Sequence, residues 1–397
     1  MNSLFDISTR IRKILLFAAI ILLVVIGGDT LIRFLNSPLN PFFAQPSFYI
    51  DANNALGEIP VPQIPTQAID DSSQPAFFVE TSQLPVYPDT AYVYRIEEPR
   101  EKLNTIENAR KTASALGFSS AFSELEGGKI EWKNQAASRS LQFDRNLQTW
   151  RMRTQYFVDA EAAKAKELQA DIKFYDNKGK SVASGLGFGV ASISQGEVVS
   201  KFAKLGVNGL FTSPLTSTSS DYVTVDVFRK FSLSRVRNGL SQQVLQSARG
   251  PRDFEGKVYT NDPRIGSLHM VVTNSVNDLG KDLYELDFVN YEYSTTPGVY
   301  RVISPAEAWE RIRVGRGALM LLTTQGADYF APSEVLNVSR FVANAPTVEI
   351  GYWEPPITDA NRYLFPIYIF RGRAEFADNR PAGEFTFFVD ALLRSDS

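Results

Sequence analysis

The feature that most constrains this chain is an uncharged apolar run near its N-terminus, residues 14–28, which follows Arg10, Arg12 and Lys13. As a helix these residues reach ~22 Å, and continuation to Leu35 lengthens the helix to ~33 Å, enough for the ~30 Å hydrocarbon layer of a bilayer. We therefore predict an uncleaved signal anchor with a single transmembrane helix. A cleaved signal peptide and a buried core helix are the alternatives.

The basic residues before the run set the predicted orientation. By the positive-inside rule the N-terminus lies in the cytoplasm, and the rest of the chain lies on the other side of the membrane. The chain is then a bacterial single-pass cell-membrane protein with an extracytoplasmic body, and the lipid bilayer is its first partner. The predicted membrane anchor consists of Ile14, Leu15, Leu16, Phe17, Ile20, Ile21, Leu22, Leu23, Val24, Val25 and Ile26.

Composition excludes several kinds of chemistry. The chain has no cysteine and one histidine, His269, so it has no disulfides, thiolate nucleophiles or multi-histidine zinc sites, and we expect no metal and no cofactor. Its 41 basic and 44 acidic side chains nearly balance. A nucleic-acid-binding protein needs a more basic surface, so nucleic acid is not an expected partner.

Proline separates the leader from the folded body. Nine of the 21 prolines fall between Pro38 and Pro88, and proline-rich segments favour extended spacers. Helix-like and strand-like stretches alternate after this region, so the predicted fold class is α+β, with two or three modules that each place a helix on an antiparallel sheet. The predicted organisation is a tail and anchor at 1–35, a proline-rich stalk at 36–90, and modules at 91–190, 191–297 and 298–397.

Each module is predicted to contain one helix, which in the third module follows the strand-like residues 300–303. The first helix is predicted from a face of apolar residues and ends at Gly117. The second covers residues 194–205, where apolar residues again have helical spacing. The third, residues 306–314, begins with a capping box and ends at Gly315. The residues that carry these predictions are Ile106, Ala109, Ala113 and Leu116 in the first, Val198, Phe202 and Leu205 in the second, and Ser304, Pro305 and Glu307 in the third.

Residues 160–189 have a weaker pattern. Residues 176–179, with the sequence DNKG, are interpreted as a hairpin turn, and the glycines of residues 185–189 as a bulged or closely packed strand.

No catalytic constellation stands out in the sequence. His269 alternates with apolar neighbours in a predicted strand, where a half-exposed structural position is expected. Neither a G-x-S-x-G nor an S-x-x-K motif is present. We therefore expect that the protein is not an enzyme. Two carboxylates ~5 to 9 Å apart would be enough to hydrolyse a glycosidic bond, so a cell-surface carbohydrate-active hydrolase is the alternative.

The last hundred residues contain YRVISPAEAWERIRVGRG, then VEIGYWEPPITDANRYLFPIYIFRG, then FTFFVDALL. This order of a Ser-Pro-capped helix, a Gly-Tyr strand and a Pro-x-aromatic-x-Phe strand resembles the C-terminal module of YycH/YycI-type accessory proteins, and more loosely PepSY-like modules. The resemblance implies an extracytoplasmic regulator with a sensor kinase as partner. It covers about residues 300–392 through Ser304, Pro305, Ala308, Trp309, Gly315, Gly351, Tyr352, Pro366, Tyr368 and Phe370.

The strand predicted near residues 363–370 is apolar on both faces. One face is expected to join the core of its module, where Trp309 packs on the sheet. The other would cover a neighbouring module or form an exposed patch for a partner. The candidate partner surface consists of Tyr352, Trp353, Tyr368 and Phe370.

These observations favour a membrane-anchored binding or regulatory protein that acts by contact with another envelope protein, without catalysis. The alternatives are the carbohydrate-active hydrolase and a structural envelope component that assembles with copies of itself.

Overall fold

The computed structural model of the protein describes residues 48–80, 83–97, 104–156, 167–189, 191–206, 211–240, 242, 252–324, 334–356, 362–378 and 380–394. The chain forms two compact units, Met1–Phe48 and Tyr49–Ser397. All of the described helices and strands belong to the second unit.

The helices are α1 (Thr105–Ala115), α2 (Lys173–Gly185), α3 (Ala191–Ser194), α4 (Leu279–Asp282) and α5 (Pro305–Arg313). The strands are, in chain order, β1 (Ala76–Val79), β2 (Thr90–Arg95), β3 (Ser123–Leu125), β4 (Lys129–Asn134), β5 (Arg139–Asp144), β6 (Thr149–Thr154), β7 (Glu197–Leu205), β8 (Phe211–Thr212), β9 (Tyr222–Phe228), β10 (Lys230–Ser234), β11 (Phe254–Tyr259), β12 (Leu268–Val272), β13 (Leu283–Phe288), β14 (Gly298–Arg301), β15 (Ala318–Thr324), β16 (Val338–Ala343), β17 (Glu349–Trp353), β18 (Tyr363–Phe376) and β19 (Gly383–Asp390).

Nine of these strands form sheet A, in the order β3-β4-β5-β6-β13-β12-β9-β7-β8, with antiparallel neighbours throughout. One face of sheet A is covered by α1 and α2. Residues of these helices and of the sheet form one buried cluster, which includes Ala113, Ala183, Trp132 and Val225. Burial of this apolar face against the two helices holds the helices on sheet A.

The other ten strands form sheet B, which is organised around the long strand β18. Strand β18 pairs antiparallel with β2, β16, β17 and β19, whereas β1 pairs parallel with β16 and β11 pairs parallel with β17. Helix α5 covers one face of sheet B, where Trp309 is 5% exposed and its ring centroid lies 5.3 Å from that of Phe370. The predicted packing of Trp309 on the sheet is confirmed.

Two predicted helices are confirmed. Helix α1 buries Ala109 and Ala113, and Gly117 follows it with a φ of 80°. At α5 the backbone N–H of Glu307 donates to Oγ of Ser304 at 3.2 Å, as the capping box predicts, and Pro305 is the first helical residue.

The helix predicted over residues 194–205 is wrong, because residues 197–205 form strand β7. Val198, Phe202 and Leu205 have helical spacing, but β7 pairs with β9 along seven consecutive positions. The β-branched pair Val198-Val199 also favours a strand. Long-range pairing therefore outweighs the local spacing.

The weakly patterned stretch before β7 contains α2, which runs through residues 176–179 and ends before Gly187, whose φ is 80°. The interpretation of residues 176–179 as a hairpin turn is wrong. Gly179 allows this helix to lie close to sheet A, because a Cβ at this position would lie 2.6 Å from Cγ1 of Val225.

The predicted fold class is also wrong. The protein is not a series of helix-on-sheet modules behind a transmembrane helix but a sheet-rich structure with two large sheets. Strands far apart in the sequence meet in sheet B: β1 comes from the predicted stalk, β2 from the first predicted module and β10 and β11 from the second. Such pairings are set by tertiary contacts and are not visible in local periodicity.

No helix within the described ranges combines the length and the apolar character needed to cross a bilayer. The longest of them, α2, has 13 residues, and a helix of that size reaches only ~20 Å. This finding contradicts the prediction of a single-pass, signal-anchored protein at the cell membrane. The predicted anchor residues, 14–26, lie outside the described residues.

Candidate functional site

The candidate site begins with the uncovered face of sheet B. Strands β15, β19, β18, β16 and β1 lie side by side in that order, and directly paired residues share a face. One row across these strands consists of Thr323, Glu384, Arg373, Val342 and Phe78. Their sequence neighbours Phe385 and Leu322, each 1% exposed, point to the α5 side. Alternation therefore gives the five strands one apolar face, toward α5, and a second, mixed face that is polar on β15, β19 and β18 and carries Val342 on β16 and Phe78 on β1.

This second face is the floor of a cleft with a volume of about 1270 Å³, and residues of sheet A and of the loops beside it form the opposite wall. We call it the sheet cleft. Its floor includes Glu80, Leu321, Thr323, Thr324, Val342, Asn344, Arg371, Arg373, Glu384 and Thr386, and its wall consists of Lys201, Thr212, Ser213, Pro214, Leu215 and Arg264. Leu215 is 95% exposed at this wall.

Arg371 belongs to a hydrogen-bonded network at the inner end of the floor. It donates to Oε1 of Glu349 at 2.6 Å and to the hydroxyl of Tyr259 at 3.0 Å, and Tyr259 in turn donates to Glu349. Burial alone would raise the pKa of Glu349, but Arg371 and Tyr259 outweigh it and lower the pKa. Glu349 is therefore a stable anion that holds Arg371 in place.

The other two arginines of the cleft also have acidic partners. Arg264 pairs with Asp262 at 2.9 Å and Arg373 pairs with Glu375 at 2.8 Å. By contrast, the exposed side chains of Glu80 and Glu384 have no ion-pair or hydrogen-bond partner among the residues that the structure describes.

The single histidine lies on the face of sheet A that α1 and α2 leave uncovered. Nδ1 of His269 lies 2.9 Å from Oδ1 of Asp226, which also accepts from the backbone N–H of Gly266 at 3.0 Å. Burial lowers the pKa of His269, but the carboxylates of Asp226, Asp287 and Glu285 together outweigh this effect, so that the pKa is raised. The predicted strand position of His269 is confirmed, but the predicted half exposure is wrong, because its side chain is only 13% exposed.

The four candidate partner residues do not form a surface. Tyr352, Tyr368 and Phe370 are 0% exposed and Trp353 is 1% exposed. The hydroxyl of Tyr352 donates to the backbone oxygen of Ser232 at 2.9 Å. Both faces of these strands pack within the protein, which is the other option that the sequence left open.

The sheet cleft was missed at the sequence level. The alternation of Glu384, Phe385, Thr386 and Phe387 indicates one polar face. It does not say that β19 lies beside β18, or that the polar face lies opposite residues 212–215, since both depend on tertiary pairing.

The cleft does not provide the carboxylate arrangement that the hydrolase alternative needs. The two carboxylates among its described lining residues are Glu80 and Glu384. Their backbones lie three strands apart and two residues out of register, a separation of ~16 Å at ~4.8 Å per strand and ~3.3 Å per residue, whereas glycosidase carboxylates lie ~5 to 9 Å apart. Burial raises the pKa of Glu354 and Asp390, but these residues pair with Arg229 and Arg394 and do not line the cleft.

No group of three or more histidine, cysteine or acidic side chains in the described part of the chain has the arrangement of a metal site.

Comparisons with known proteins do not assign a family. No family model matches the chain, and no curated protein matches it. Among solved structures, the chain is similar to the crystal structure of an uncharacterized protein from Eubacterium rectale, with 12% sequence identity and a TM-score of 0.39 over 84% of this chain and 94% of that chain.

Proposed function

We propose that the protein is a non-catalytic binding or regulatory protein that acts by contact with another protein, and that the sheet cleft receives a segment of this partner. The observation that carries the proposal is the size and lining of the cleft. Its volume of about 1270 Å³ exceeds the ~300 to 1,000 Å³ of typical small-molecule pockets. A cleft of this size, open and lined by both sheets, suits a polymer segment better than a single small molecule.

The chemistry of the lining also supports binding over catalysis. The cleft arginines are paired with acidic residues, and its carboxylates are too far apart to act as an acid and base pair. The resemblance of residues 300–392 to YycH/YycI-type regulators agrees with a regulatory role, and it makes a sensor kinase the first partner class to examine.

Site-specific crosslinking in intact cells tests this proposal. A photoreactive residue replaces Leu215, which is 95% exposed at the cleft wall, and the matched control replaces Val314, which is 67% exposed after α5 and does not line the cleft. We expect a heterologous adduct of defined mass from position 215 and none from position 314. Homotypic adducts alone would favour the self-assembling alternative, and the absence of any adduct from position 215 would contradict the proposal.

A further inference from the structure

We propose that the outer edge of strand β1 pairs with the same edge of a second copy of this chain, antiparallel and about a twofold axis at Phe78. This surface adds an interaction to the one proposed for the sheet cleft and does not depend on it. The proposal is based on the direction in which the main-chain groups of β1 point.

The pairing of β1 with β16 determines which of these groups the protein itself uses. Strand β1 ends the strand order of sheet B, and β16 is its one neighbour among the described strands. The backbone N–H of Glu80 donates to the oxygen of Ala343 at 2.9 Å. Hydrogen-bonding groups of successive strand residues point to opposite edges. The N–H and C=O of Phe78 therefore also face β16, whereas those of Phe77 and Val79 face outward.

The outward groups of Phe77 and Val79 have no hydrogen-bond partner in the part of the chain that the structure describes. A strand edge with unpaired N–H and C=O groups is a template for a further strand. Alternating donors and acceptors at this spacing match the main chain of an extended polypeptide, so the occupant of this edge is a polypeptide strand.

Other edges of sheet B are blocked by the protein itself. At β15 the backbone N–H of Leu322 donates to Oε1 of Gln67 at 2.9 Å, and the N–H of Gln67 donates to the oxygen of Leu319 at 2.6 Å. At β10 the oxygen of Ser232 accepts from the hydroxyl of Tyr94 at 2.8 Å. Strand β1 has no such cover among the described residues, and its sequence, AFFV, contains no charge or proline that would oppose pairing.

The positions of the outward groups make β1 complementary to itself. They belong to residues 77 and 79, which lie symmetrically about Phe78. A twofold axis perpendicular to the sheet at Phe78 places Phe77 opposite Val79 of the second copy, and such a pair exchanges both of its N–H···O bonds. The same patch then serves both copies, as in other twofold dimers, and all of the outward groups are satisfied.

The side chain at the centre of this arrangement is exposed. Phe78 is 48% exposed and shares a face with Val342 of β16. In the twofold pairing the two Phe78 residues form a directly opposed pair without hydrogen bonds, with their Cα atoms ~4.5 Å apart. Opposed aromatic side chains stabilise antiparallel strands. The pairing covers only the four residues of β1 in each copy, so we expect a weak dimer whose population depends on concentration.

Disulfide formation in the purified full chain tests the pairing and its register. The chain has no cysteine, so a single introduced cysteine can crosslink only to its copy. In Phe78→Cys the two residues lie opposite each other within the Cα separation that a disulfide bridges, and we expect a crosslinked dimer after mild oxidation. The matched control is Ala76→Cys, exposed on the same strand. Residue 76 faces residue 80, so the two cysteines lie ~13 Å apart and should not crosslink.

Analytical ultracentrifugation over a range of concentrations measures the association without a crosslink. We expect Phe78→Glu to raise the dimer dissociation constant about tenfold, because it removes the aromatic pair and places two like charges opposite each other. Within each chain, Arg340 lies 4.9 Å from the Phe78 ring and offers the new carboxylate a cation. The matched control, Val86→Glu at a 90% exposed position outside β1, should leave the constant unchanged. An unchanged melting temperature establishes that each variant is folded.

Three results would overturn the inference: a wild-type chain that is monomeric at every concentration, equal crosslinking of Phe78→Cys and Ala76→Cys, or a dimer that a folded Phe78→Glu variant leaves unchanged. If Phe78→Glu does not fold, the comparison of the two cysteine variants decides. A photoreactive residue at position 78 that gives only heterologous adducts in intact cells would assign this edge to another protein and overturn the second copy as its partner. Crosslinks from position 215 test the proposed function separately.

Discussion

Arg229 and Glu354 form a buried ion pair at the point where the chain passes from sheet A to sheet B. Arg229 lies between β9 and β10, Glu354 follows β17, and their side chains are 1% and 2% exposed. Tyr293 also donates to Oε1 of Glu354, whereas Oε2 has no hydrogen-bond partner among the described residues. The pair therefore joins the two sheets through charges that water does not reach.

Removal of one member of this pair should be strongly destabilising. In Arg229→Ala the Glu354 carboxylate remains buried without its cation, so we expect a loss of about 3 to 5 kcal/mol in the free energy of unfolding. The double variant Arg229→Met/Glu354→Leu removes both charges and should recover most of that loss. Urea denaturation measures both values. A double variant as unstable as Arg229→Ala would show that the ion pair itself, and not the orphaned charge, sets the stability.

The pair of His269 and Asp226 predicts a specific pH dependence. Burial alone would lower the pKa of His269, but Asp226, together with Asp287 and Glu285 of β13, raises it above its usual value of 6.5. A raised pKa means that the folded protein binds the proton more tightly than the unfolded chain. The stability that His269 contributes is therefore complete below pH 6.5 and is lost as the pH rises through the raised pKa.

Comparison of the wild type with His269→Asn across this pH range tests the prediction. The difference in unfolding free energy between them should be largest at acidic pH and should decrease above neutral pH. A difference that does not vary with pH would show that His269 does not exchange a proton on unfolding in this range.

The predictions that succeeded depend on neighbouring residues. The cap of α5 needs Ser304, Pro305 and Glu307 within one turn, and its end needs Gly315, whose φ is 78°. All of these are visible in a short window of sequence. Strand β7 shows the opposite case, since its apolar residues fit a helix and only its pairing with β9 makes it a strand.

The candidate site depends on strand pairings between residues that are far apart in the sequence. Tyr363 of β18 pairs with Arg95 of β2, and Phe78 of β1 pairs with Val342 of β16. Each strand in isolation indicates which of its residues share a face. The side of the sheet that α5 covers, and hence the face that becomes the cleft floor, follows only from the assembled sheet.

Substitution of Trp309 tests the packing of α5 on the core of sheet B. The Trp309 ring lies 6.1 Å from that of Phe77 and 5.3 Å from that of Phe370, both measured between centroids. We expect Trp309→Ala to lower the free energy of unfolding by about 3 to 5 kcal/mol, the range for a large buried aromatic side chain. The neighbouring Glu310→Ala, at an exposed position, is the control and should change it by less than about 0.5 kcal/mol. A melting midpoint unchanged in Trp309→Ala would contradict its role in the core.

The ends of α1 and α2 repeat the same sequence, A-S-x-L-G-F, at residues 113–118 and 183–188. This repeat is a sequence signal for α2 that helical periodicity alone did not reveal. The two ends also have the same backbone structure: the N–H of Phe118 donates to the oxygen of Ala113 at 2.9 Å, and the N–H of Phe188 to that of Ala183 at 2.8 Å.

The glycines of these repeats, Gly117 and Gly187, both have a φ of 80° but differ in their surroundings. A Cβ at Gly187 would meet no atom within 4 Å, whereas at Gly117 it would lie 3.0 Å from Cα of Gly280. Gly187→Ala should therefore lower the free energy of unfolding by about 1 kcal/mol, because alanine is strained in the left-handed backbone conformation. Gly117→Ala should lower it by about 2 kcal/mol or more, because the backbone of Gly280 must also move. Urea denaturation of both variants measures the difference, with Gly187→Asn as a control that tolerates this φ. Equal losses of unfolding free energy at the two positions would contradict this prediction, because they would mean that α4 can move away from α1 without lowering the stability.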